Sequence, residues 1–160
     1  MSDPTRSISS YELALYFDCY RQMTKIYQAI VDDQALLKSA MSPSVRSPRI
    51  KSKAEAKYQR GTRVYLEDEP IQRLQQIDQI NARLAENWRK YNDRAATVCR
   101  IGAVIIAASF DAEQLDLIFR RFYLMNKVQV LAERKGYAYQ TIYKKFNQIY
   151  DRYYDAKTSI

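Results

Sequence analysis

The side chains best equipped for catalysis are scarce in this chain of 160 residues. There is no histidine, so Ser, Thr and Cys lack their usual activating base and the commonest metal ligand is missing. Cys19 and Cys99 make one pair at most, too few for a zinc site or a disulfide scaffold. The pair Asp32-Asp33 and the run Glu67-Asp68-Glu69 are of the type that holds magnesium in nucleases. A solvated helix face accounts for the first, however, and helix-start electrostatics for the second. Three glycines in all, Gly61, Gly102 and Gly136, cannot build a phosphate-cradling loop. The expectation is a protein that is not an enzyme and uses no cofactor or metal.

Charge is the more informative chemistry. The net charge is +8, and it is segregated. Residues 41–63 hold seven basic side chains against one acidic, and residues 120–160 hold nine against three. The stretches 1–40 and 64–119 are slightly acidic. Two basic blocks are what a polyanion-binding surface needs, because neutralising phosphates releases condensed counterions. A solvated basic protein is the plainer alternative.

The elements that must position these charges read as helices. With 3 Gly and 4 Pro, the chain has too few turn formers for an all-β fold, and 47% apolar residues suffice for a core. Ser9 and Glu12 have capping-box spacing, and Ile8 and Leu13 that of a hydrophobic staple, so the first helix is expected from Ser9 to about Ala40. Its apolar residues recur every three or four: Tyr16, Cys19, Tyr20, Met23, Ile26, Tyr27, Ile30 and Leu37. Residues 41–66 hold Ser42-Pro43 and Ser47-Pro48 among many cations, which predicts a flexible basic linker. A second long helix is expected from Asp68-Glu69-Pro70, with Pro70 at its first position. Leu74, Asn81, Trp88 and Ala95 form one heptad row, and Ile77, Leu84, Tyr91 and Val98 the other. The fold class is therefore all-α: a long antiparallel, coiled-coil-like hairpin over 1–108, serving oligomerisation, then a C-terminal domain over 109–160.

That C-terminal domain has the clearest local signals. Asp111 and Gln114 have capping-box spacing, with Leu115, Ile118, Phe119 and Phe122 forming one apolar face. A short helix from Val128 then ends at Gly136, the residue type that enters a left-handed cap freely. A second helix follows, with Ile142, Phe146 and Ile149 inside. A small Ala132 at the contact, a tight turn at Gly136 and an anchor at Ile142 are what a helix-turn-helix requires.

The run Gly136-Tyr137-Ala138-Tyr139-Gln140-Thr141-Ile142-Tyr143 resembles the helix-turn-helix of the fourth region of bacterial sigma factors. It is closest to the version in small phage transcriptional regulators of the RinA and ArpU type, where Leu-Gly-Tyr-Ser-x-x-Thr-Val-Tyr marks the turn. Arg120-Arg121-Phe122-Tyr123 resembles the Arg-Tyr that closes the preceding helix in that family. Three positions differ: Ala138 replaces a capping Ser or Thr, Lys135 an apolar residue, and Met125-Asn126-Lys127 lacks the usual glycine.

The resemblance implies a recognition helix from about Tyr139 to Tyr154. Tyr139, Gln140, Tyr143 and Lys144 would face the major groove, Gln140 suiting adenine and Lys144 guanine or phosphate. Arg134, Lys145 and Asn147 would contact phosphates, as would Arg46, Arg49 and Lys51 of the linker. Tyr150, Tyr153 and Tyr154 are expected in the core or a dimer contact. The implied function is sequence-specific transcriptional regulation of phage or prophage type, activating late or lysis genes, with double-stranded DNA and RNA polymerase as partners. A homodimer or higher oligomer is expected. The alternatives are a small terminase-like packaging subunit and a helical scaffold that does not bind DNA. With no apolar run at Met1–Ser10, and only ten residues in the most apolar stretch, Ile101–Phe110, the expectation is that no membrane is involved. The expected location is the cytoplasm of a bacterial host, with both cysteines reduced and buried.

Overall fold

The computed structural model describes residues 3–42 and 63–160, and every element among them is helical. Helix α1 spans Pro4–Met41, α2 Arg63–Ala108, α3 Ala112–Ile118, α4 Val128–Lys135 and α5 Tyr139–Ser159. A π-helical segment, Phe119–Tyr123, continues α3. The fold is all-α, and α1 and α2 pair with each other. No helix among the described residues is long and apolar enough to cross a membrane.

Helix α1 begins one and a half turns before the expected Ser9. Pro4 is its first residue, where a missing amide is harmless, and the Asp3 carboxylate accepts the Thr5 amide at 3.0 Å. Ser9 is consequently inside the helix and fully buried. Its hydroxyl lies 3.0 Å from the Thr5 carbonyl and 2.9 Å from that of Tyr150, so it braces a helix contact instead of capping. The expected staple fails for the same reason, since Ile8 is exposed while Leu13 is buried. Helix α2 likewise starts at Arg63, so Pro70 falls within it. No Pro or Gly between 63 and 69 stops helix from forming there, and Pro70 forfeits one backbone bond.

Contacts divide the chain into two compact units, residues 1–25 with 92–160, and residues 26–91. This division follows packing and cuts through α1 and α2; the sequence boundary at 108 follows the change of motif. In the first unit Gln22 accepts a hydrogen bond from Arg94, and Glu12 one from Arg100, so α1 and α2 run antiparallel. In the second, Asp33 pairs with Arg83 at 2.7 Å and Tyr27 lies against Tyr91.

The first unit holds the main core. Leu13, Ile101, Leu117, Leu131, Ile142 and Ile149 are essentially inaccessible, each contributing roughly 1.5–3 kcal/mol by its burial. The inner face of α3 differs from the expected one, because Leu117, Ile118 and Phe122 are buried while Leu115 and Phe119 are exposed. The wider π turn shifts the register here, closing with a Leu124 amide bond to the Phe119 carbonyl. In α2 the row Ile77, Leu84, Tyr91, Val98 is half-buried. Leu74, Asn81 and Trp88 of the other row are exposed, and Ile80 is buried instead. Cys19 is buried, but Cys99 is exposed, contrary to expectation, because it points off the packed side of α2.

Candidate nucleic-acid interface

Local chemistry explains how α4 and α5 are joined. Helix α4 ends with Gly136 at φ 67°, the left-handed region, so the Gly136 amide reaches the Glu133 carbonyl (3.3 Å) and the Tyr137 amide reaches Ala132 (3.0 Å). This pair of bonds satisfies the last carbonyls and turns the chain sharply. Ala138 then stands at the N-cap of α5 in an extended conformation, without a side-chain cap, as its replacement of Ser or Thr predicts. At the earlier turn, Met125 adopts φ 59°, the left-handed region that glycine enters more freely.

Ile142, Phe146, Ile149 and Tyr153 bury one face of α5. Tyr139, Gln140, Tyr143 and Lys144 are all exposed on its first turns. The Tyr139 and Tyr143 rings meet edge to face at 4.8 Å, with hydroxyls 3.0 Å apart. That hydrogen bond raises the Tyr139 hydroxyl above an ordinary phenol. Helix α5 extends to Ser159, past the expected Tyr154. Tyr153 is buried, with Tyr150 and Tyr154 half-buried.

The cations separate into two groups. Lys145 bonds Glu113 at 3.1 Å and lies 4.9 Å from the Tyr137 ring centre, while Tyr137 donates its hydroxyl to the same Glu113. The bond to Glu113 holds the Lys145 ammonium above its usual range. Lys135 pairs with Asp116 at 2.7 Å, and Arg120 shares that carboxylate. Arg152 donates to the Ala108 carbonyl, and Lys157 to Glu12. Lys127, Arg134 and Lys144, in contrast, are exposed and form no ion pair among the described residues. The basic surplus of residues 120–160 is thus largely used within the fold, leaving a few free cations around α4 and α5.

Asn147 is half-buried and lines a shallow cleft with Asp3, Arg6, Ser7 and Tyr150, where the start of α1 borders α5. Gln140, Lys144 and Arg134 therefore share accessibility, whereas Lys145 is engaged and Asn147 adjoins α1. Lys127, at the N-cap of α4, joins the free cations and was not among the residues singled out from sequence. Its signal was a basic residue opening the first helix of the motif. Arg46, Arg49 and Lys51 lie outside the described residues. Among the described residues, no group of three or more Cys, Asp and Glu is placed to hold a metal ion.

No protein-family model matches the chain, and no curated protein or solved structure matches it.

Proposed function

We propose that this chain is a sequence-specific double-stranded DNA-binding regulator of transcription, of the phage or prophage type its C-terminal motif resembles. The observation that carries this is the exposed start of α5. Gln140 and Lys144 stand one turn apart there, behind a left-handed Gly136 turn, and Arg134 is exposed on the preceding helix. Glutamine offers an adenine edge a donor and an acceptor together, and lysine suits guanine acceptors or phosphate. Assembly into a homodimer or higher oligomer, contact with RNA polymerase, activation of late or lysis genes and a cytoplasmic location belong to the same proposal. They rest on the resemblance and on the hairpin.

Selection of bound sequences from a random duplex pool tests it, with affinity for the winner measured at two salt concentrations. An enriched motif bound at least ~10³-fold more tightly than random DNA is the expected result. Salt-sensitive binding without a motif would move the protein to packaging or architecture. Absence of binding at low salt would remove DNA as a partner.

A further inference from the structure

The hairpin of residues 26–91 has two unlike faces. On one, Asp33 and Arg83 pair, with Arg73 and Gln76 alongside. On the other, Tyr27 of α1 and Trp88 of α2 both lie against Tyr91, at 6.2 and 5.7 Å between ring centres. Helical spacing adds Val31 on α1 and Leu74 and Asn81 on α2 to this second face. Leu74 is 62% exposed, Tyr27 52%, and Val31 and Trp88 39% each. Only Ile30, Ile80 and Asp33 are buried among the described residues of this unit. Two helices alone leave one face of their apolar surface uncovered, and a bundle of four covers it.

We infer that this face binds a second copy of the chain, with α2 packed antiparallel on the partner's α2 about a two-fold axis at Asn81. Leu74 and Trp88 lie seven residues before and after Asn81, so the axis sets Leu74 of each copy against the partner's Trp88. The two Asn81 amides then meet, each supplying a donor and an acceptor, which is the self-pairing that fixes register in helical bundles. Leu74, Asn81, Trp88, Tyr27 and Val31 carry no charge, and Lys38 at the end of the α1 stripe is the one cation that helical spacing adds, so the centre of the face suits an apolar partner better than DNA. Sixteen residues of α1 make a strip about 24 Å long. Two helices are about 20 Å wide, so the pair of faces covers about 1,000 Å², the lower limit for a specific interface and consistent with a micromolar dimer. This deepens the assembly part of the proposed function and is independent of its DNA part.

Sedimentation equilibrium of the full chain without DNA tests the interface. The wild type is expected to be dimeric at micromolar concentration. Trp88→Glu and Leu74→Glu are expected to be monomeric with unchanged helical circular dichroism, while Gln76→Glu on the opposite face stays dimeric. Asn81→Cys in a Cys99→Ser background is expected to form an inter-copy disulfide under mild oxidation. A wild-type monomer at 100-fold higher concentration would overturn the inference, as would a dimer indifferent to Trp88→Glu and Leu74→Glu. A dimer that these variants dissociate, but that gives no disulfide at position 81, would overturn the two-fold at Asn81. Because no DNA is present, none of these outcomes bears on sequence recognition.

Discussion

Tyr153 donates its hydroxyl to the Glu12 carboxylate at 2.6 Å, a buried hydrogen bond between residues 141 apart in the chain. Arg100 and Lys157 bond the other oxygen, at 3.1 and 2.7 Å, so one carboxylate ties α1 to α2 and α5.

Replacing Glu12 by Ala is expected to cost about 2–3 kcal/mol of unfolding free energy, because it orphans a buried phenol and two cations. Burial alone would raise the Glu12 carboxyl, but the bonds from Lys157, Tyr153 and Arg100 outweigh it and hold it below the usual range. A depressed folded-state value means the stabilisation is complete above the ordinary carboxylate range and is lost as pH falls through the folded value. Urea denaturation at neutral pH and at about pH 3 checks both points. Glu12→Ala should lose less on acidification than the wild type.

Gly136→Ala is expected to destabilise by about 1 kcal/mol, because Ala tolerates φ 67° poorly. A Cβ there would meet nothing within 4 Å, so the cost is purely conformational. Gly136→Asn should recover part of it, since Asn enters the left-handed region more readily. Thermal midpoints of the three proteins give the order; a Gly136→Asn midpoint below that of Gly136→Ala would contradict this account.

On the selected DNA site, Gln140→Ala is expected to weaken binding by ~1–3 kcal/mol and relax preference at one base pair, leaving random DNA unaffected. Equal losses on both would remove Gln140 from base recognition.

Glu113→Gln should release Lys145 and tighten binding to random DNA roughly threefold at low salt, with a steeper salt dependence. The bond from Lys145, and then that from Tyr137, holds the Glu113 carboxyl below the usual range, so the competition persists throughout neutral pH. Titration by fluorescence anisotropy at two salt concentrations reads the change.

Signals closed within a few residues were legible. The reciprocal box at Asp111 and Gln114 formed as its spacing predicts, and Gly136 turned left-handed where the motif required. Ser9 and Glu12 carry the same spacing, yet both serve partners more than eighty residues away, which local chemistry cannot reveal. Asp3-Pro4 was the true start signal, and it lay upstream of a more familiar pattern. In α2 both heptad rows are apolar enough to face inward, and a two-helix pairing has room for little more than one. At the candidate interface, exposure of Gln140 and Lys144 followed from the helical period. Neutralisation of Lys135 and Lys145 depended on Asp116 and Glu113 of another helix.

The contacts between the start of α1 and α5 also constrain when the protein can fold. Ser9 packs on Tyr150, Arg6 pairs with Asp151, and Glu12 meets Lys157. During synthesis the first helix therefore remains without these partners until residue 157 has left the ribosome. The final closure joins chain segments separated by 141 to 145 residues, a loop whose entropy slows folding far more than local helix formation does. A nascent chain stalled before Asn147 would hold a largely formed hairpin with Leu13 and Ile101 uncovered, which makes it a natural client for chaperones.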